Sequence, residues 1–161
     1  MNDHDIAQRI DDLGSKAGAT RHAARRDLVK AGTAATAALI EALAAPIHYT
    51  RWGAAKALGQ IKDAAAAPAL VVALEDDESD VRWLASLALV KLSDDGLHAL
   101  LSAIVAGDLD LHHQHAAHHV LHDFVDLGRD DVAATLAALE GPSPGVATPI
   151  AAGRLLHAPD A

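Results

Sequence analysis

The chain repeats itself, and a short repeat restricts what it can fold into. Thr-Arg-His-Ala-Ala (residues 20–24), Thr-Arg-Trp-Gly-Ala (50–54) and Val-Arg-Trp-Leu-Ala (81–85) begin 30 and then 31 residues apart, and a degenerate copy, His-Gln-His-Ala-Ala (113–117), follows 32 residues later. A unit of this length cannot bury its apolar face alone, so it stacks on its neighbours as a solenoid does. Hydrophobic residues make up 51% of the chain and aromatics only 2%. The apolar content is therefore mostly Ala, Leu and Val, which suits closely approaching helices rather than a β-sandwich.

The period within each copy is helical. Ala54, Ala57, Leu58 and Ile61 fall at i, i+3, i+4 and i+7, and Ala85, Ala88, Leu89 and Leu92 repeat the pattern. The first copy carries Ala24, Asp27, Leu28 and Ala31, so Asp27 predicts a less well packed first repeat, and the fourth carries Ala117, Val120, Leu121 and Phe124. Motif helices are predicted near 20–31, 50–61, 81–92 and 113–126, each followed by a turn rich in Gly or Asp that supplies cap chemistry. Second helices follow at 33–43, 65–74, 97–104 and 132–139. A helix over 5–13 precedes the first copy, and a capping helix near 148–157, with Pro149 in its first turn, ends the array. The expected fold is an all-α superhelix of four to five helix pairs, one repeat domain spanning residues 1–161.

Several function classes are argued against. No apolar run reaches the ~18 residues of a membrane span. The polar, acidic start does not read as a secretory signal, and the chain has no cysteine to form disulfides, a thiolate nucleophile or thiolate zinc ligands. A cytoplasmic location is expected. The formal net charge of −9 opposes binding to a phosphate backbone, so a nucleic-acid-binding module is a lesser alternative. The charge is uneven, with Arg21, Arg25, Arg26 and Lys30 grouped near the start and Glu75, Asp76, Asp77, Glu78 and Asp80 grouped in one turn. No phosphate-binding Gly-rich loop, nucleophile elbow or His-Glu-x-x-His occurs, and no catalytic constellation is recognised.

The string Val-Arg-Trp-Leu-Ala-Ser-Leu-Ala-Leu-Val-Lys-Leu (81–92), and residues 50–61 followed by Lys62-Asp63 and Pro68-Ala-Leu70, resemble the motif helix of HEAT-like repeats of the phycobilisome-lyase type. That motif runs Val-Arg, two variable positions, Ala-Ala, one variable, Ala-Leu-Gly, one variable, Ile-Gly-Asp. The resemblance covers about residues 15–127 and is closest in the middle two copies; the fourth has Gln114 in place of the Arg. It implies a protein-interaction module, a lyase subunit or an assembly factor, with the motif helices lining the concave face. It also implies that Arg21, Arg51 and Arg82 form a structural ladder to carbonyls or acidic residues in adjacent turns, with Asp63, Asp94 and Asp80 as plausible partners.

Two features carry the functional expectation. With the core direction set at Ala85, a step of ~100° per residue puts Trp83 about 160° away. Trp52 holds the same place one repeat earlier, and His22 and His115 hold it in the outer repeats. Outward tryptophans are interface anchors; the alternative is that each lies over the next helix and covers apolar surface. The expected groove for a protein or peptide partner comprises Trp52, Trp83, His22, Arg26, Lys56, Leu87, His115 and His119, basic at one end and histidine-rich at the other. The second feature is six histidines within residues 111–123: His112, His113, His115, His118, His119 and His122. The i, i+4 pairs His115–His119 and His118–His122 can each chelate zinc or another divalent ion, with a third ligand from Asp110, Asp130, Asp131 or a partner. The alternative function is accordingly a metal-binding or cofactor-handling protein; otherwise the histidines form a solvated face and no cofactor is needed. HEAT-like iron hydroxylases use His-Glu pairs, and this chain has no His-Glu dipeptide. Both a monomer and a homodimer fit the pattern.

Overall fold

The computed structural model describes residues 1–109 and 115–158; Asp110, His112, His113 and Gln114, named above, lie outside the described residues. Ten α-helices and no strand occur among the described residues: α1 (Asp3–Leu13), α2 (Gly18–Ala31), α3 (Thr36–Ala42), α4 (His48–Ile61), α5 (Ala67–Val72), α6 (Ser79–Lys91), α7 (Asp94–Ala106), α8 (His115–Asp126), α9 (Ala133–Glu140) and α10 (Pro144–Leu156). The motif helices α2, α4, α6 and α8 stack each on the next, and α3, α5, α7 and α9 form the second layer behind them. The architecture is an all-α solenoid of helix pairs. One contiguous apolar cluster runs through it from Ile6 to Ala152.

Small side chains set the spacing of the motif layer. Ala54, Ala57, Ala85 and Ala88 are buried, and Leu58 and Leu89 fill the space between the layers. At the α4–α6 contact a Cβ on Gly59 would stand 3.0 Å from the Ala88 Cβ and 3.2 Å from its Cα. Glycine is required there for close approach, not for backbone freedom. The Asp27 anomaly resolves in the same way: its carboxylate turns from the core to Arg9 on α1, 3.2 Å away, while Ala24 and Leu28 remain buried.

Of the second-layer helices, α3 and α5 are shorter than their apolar patterns suggest, α9 is as long as expected, and α7 is longer, over Asp94–Ala106. Three of them open with a 3-10 turn, at Gly32–Ala35, Ala64–Ala66 and Asp130–Val132, before α3, α5 and α9 begin. Tight i→i+3 bonding is a common way to start a helix whose first N–H groups lack partners, and at the second of these turns the Asp63 carboxylate also accepts from the Ala65 N–H at 3.1 Å. The motif helix α4 ends at Lys62 with φ 60, in the left-handed region where the repeat motif carries glycine. The last helix corrects the sequence expectation. It starts at Pro144 rather than near 148, so Pro149 lies inside the helix and not in its first turn. A sequence pattern places one proline in a first turn as easily as another; here Pro144 takes that position, and α10 packs across both α7 and α9.

The arginine ladder is structural, with partners other than Asp63, Asp94 and Asp80. Arg21 donates to the carbonyls of Ser15 (2.7 Å) and Lys16 (3.0 Å). Arg51 donates to Ala45 (3.0 Å) and Pro46 (3.4 Å), and Arg82 to Asp76 (2.6 Å) and Asp77 (3.0 Å). Each guanidinium thus ties down the two carbonyls that lie six and five residues before it, in the turn entering its own helix. Asp63 caps a turn, Asp94 pairs with Arg129, and Asp80 pairs with His48. Arg51 additionally reaches forward to the next repeat, where its Nε and Nη2 donate to the two Asp76 carboxylate oxygens at 2.6 and 3.0 Å. Their side chains are 15% and 8% exposed. Burial pushes the Asp76 carboxyl up, but the Arg51 guanidinium and the Glu78 N–H overcome this and hold it below the ordinary carboxylate range.

Two outcomes follow from this geometry. Gly59→Val should lower stability in urea unfolding by about 1–3 kcal/mol, because the added methyls meet Ala88 rather than open space. Asp76→Asn should cost about 3 kcal/mol at neutral pH by leaving Arg51 without its anion. Because the folded pKa is depressed, this contribution is complete above the carboxylate's ordinary pKa of about 4 and is lost as pH falls through the lower folded value. Unfolding curves of both proteins between neutral and strongly acidic pH should therefore converge only in that acidic range.

Candidate interaction face

The outward surface of the motif helices carries the residues singled out by the repeat pattern. His22, Arg26, Trp83, His115 and His119 are exposed, and Trp52, Lys56 and Leu87 are half-buried. The structure divides the two tryptophans. Trp83 on α6 is 59% exposed, the largest aromatic surface the protein offers to solvent. Trp52 on α4 leans on the apolar core and is flanked by two cations. The Lys56 ammonium, one turn along the same helix, lies 4.6 Å from its ring centroid, and the Arg25 guanidinium, from α2, lies 5.3 Å away. Such contacts with a ring quadrupole hold cations over an indole. Burial lowers the Arg25 pKa. Its three-residue offset from His22 hid this role in the sequence, although it belongs to the basic group there.

Tyr49 extends the face toward the helix N-termini. It is exposed, and the Arg21 guanidinium that ties down the Ser15 and Lys16 carbonyls also stacks 4.0 Å over its ring. Beside it, His48 Nε2 lies 2.9 and 3.0 Å from the two Asp80 oxygens, with the Glu78 carboxylate converging on the same point. His48 sits 30 or more positions before the two carboxylates in sequence, so only the stacking of α4 on α6 reveals their convergence.

At the histidine end, Ala117, Val120, Leu121 and Phe124 face the core, and His115, His118, His119 and His122, at i, i+3, i+4 and i+7, share one stripe of α8. His118 is committed to Glu140 on α9 at 2.7 Å. Its ring lies 5.9 Å from those of both His119 and His122. His122 Nδ1 approaches Asp126 at 3.2 Å. Among the described residues, potential ligand atoms gather at His122, Asp123 and Asp126, not at a set containing His115, His118 or His119. Asp131 pairs with Arg129 at 2.8 Å and is the foremost cause that raises the Arg129 pKa.

The second layer also offers a cleft. One of 620 Å³ between α5 and α7 is floored by Val71, Ala99, Ala103 and Leu109 and rimmed by Asp95 and Asp108. Alanines on both helices create it, since neither can fill the gap between them. No helix among the described residues is long and apolar enough to cross a membrane.

Single-tryptophan variants report the division directly. Trp52→Phe, which leaves Trp83, should emit at longer wavelength and be quenched more strongly by acrylamide than Trp83→Phe, which leaves Trp52. Equal emission and quenching would contradict the two environments.

Comparison with known proteins agrees with the architecture. No curated protein matches this chain. Residues 6–90, more than half of its length, match the family model of HEAT repeats. Together with the paired helices, the recurrent arginine and the alanine-lined stacking, that match assigns the chain: it is a member of the HEAT-repeat family.

Proposed function

We propose that the protein is a non-catalytic interaction module that grips a segment of a protein partner along the concave face lined by its motif helices. One observation carries this reading: Trp83 stands 59% exposed, one repeat from Trp52, on the face that the stacking leaves uncovered. A large apolar side chain on a regular helical surface costs solvation unless a partner covers it. HEAT repeats commonly mediate protein interactions, which supports the same reading. His22, Arg26, Lys56, Leu87, His115 and His119 flank the anchors, and solvated rim residues of this kind supply complementarity rather than most of the affinity. We further place the repeats with the phycobilisome-lyase type, on the motif at residues 50–61 and 81–92, and the protein in the cytoplasm, as a monomer or homodimer.

The test is selection of a random dodecapeptide library on wild-type protein and on Trp83→Ala. Recovered peptides should bind wild type about tenfold or more tightly than the variant, the usual scale of a buried aromatic anchor. Circular dichroism should meanwhile show an unchanged fold. Peptides that bind both proteins equally would move the functional surface elsewhere.

A further inference from the structure

The three central motif helices are charged opposite to the rest of the chain. α2, α4 and α6 together hold eight Lys and Arg residues but two acidic ones, in a protein whose formal net charge is −9. Both acids are engaged, Asp27 with Arg9 at 3.2 Å and Asp80 with His48 at 2.9 Å. Three of the cations, Arg21, Arg51 and Arg82, are consumed by turn carbonyls. Arg25 and Lys56 are not. Among the described residues neither has a carboxylate within salt-bridge distance, yet both are half-buried. A half-buried guanidinium ordinarily finds an anion, because desolvation without a counter-charge is unfavourable. Here the two like charges sit within about 10 Å of one another around the Trp52 ring, where they repel. An anion seated beside the indole would satisfy both.

Resting on the interaction reading above, we infer that Arg25, Trp52 and Lys56 form a clamp for a carboxylate side chain, and that the partner segment is acidic. The guanidinium fork offers two parallel N–H donors to a carboxylate, and the ammonium adds a point charge. Trp83 receives an apolar residue of the same segment. A protein segment fits better than a nucleic acid: the free cations are few, they do not form a continuous stripe, and the acidic turn at Glu75 to Asp80 borders the face and would oppose a run of phosphates.

The same peptide selection, repeated on the full-length Arg25→Gln/Lys56→Gln variant, decides the matter. Peptides recovered on wild type should be enriched in Asp and Glu. Their affinity should fall by about tenfold or more in the double variant, and more steeply with added salt in wild type than in the variant. The reversed variant Lys56→Glu should shift recovery toward Lys- and Arg-bearing peptides, and its melting curve reports whether the fold is intact. Neutral or basic peptides on wild type, or acidic ones that bind the double variant equally, would overturn the clamp while leaving the Trp83 requirement standing. Loss of any dependence on Trp83 would instead remove the interaction face, and the clamp with it. A single-stranded oligonucleotide that binds more tightly than the acidic peptides, and loses that binding in the double variant, would overturn the assignment to a protein segment.

Discussion

The close approach of neighbouring motif helices is the constraint from which the remaining structure follows. α4 and α6 meet most closely where Gly59 faces Ala88, so the helices touch nearly backbone to backbone there, and the buried Leu58 and Leu89 fill the space between layers. That spacing brings the Arg51 guanidinium of α4 within reach of Asp76 in the turn that enters α6. It also decides which residues are left over. Where alanine and glycine hold the helices this close, a side chain as large as an indole has no room at the contact, and Trp83 stands outward, 59% exposed.

Most of this was legible in the sequence because repetition multiplies a weak signal. One Val-Arg-Trp string says little; four copies at nearly constant spacing identify the stacking, the inward alanines and the outward aromatic position. The arginine ladder was legible as a ladder but not in its partners. Carbonyl groups were expected among its acceptors, but every residue possesses one and no side-chain pattern marks which are used, and the acids named for it, Asp63, Asp94 and Asp80, are engaged elsewhere. The carboxylate that does participate, Asp76, is one of five acids in a single turn, and nothing but geometry distinguishes it. The 3-10 entries to the second helices and the start of α10 at Pro144 were equally hidden, since both depend on how tightly a chain must turn to bring its apolar face against a layer already in place.

The candidate face shows the same division. Periodicity located its residues, but the difference between Trp52 and Trp83, and the placement of Arg25 over the former, arise from contacts between helices. The histidines show it too. The spacing of His115, His118, His119 and His122 places them on one stripe of α8, but only contacts made in space show that His118 meets Glu140 on the next helix and that His122 approaches Asp126.

The chain of bonds running Arg51, Asp76, Arg82 links the second and third repeats through a carboxylate on one side and a carbonyl on the other. Eight residues further along α4, Gly59 meets Ala88, so the helices that carry Trp52 and Trp83 are tied at two separate points. In mechanical terms the two ties act as braces at either end of a short beam: they fix the distance between the two helix backbones and leave the outward side chains between them free of that load.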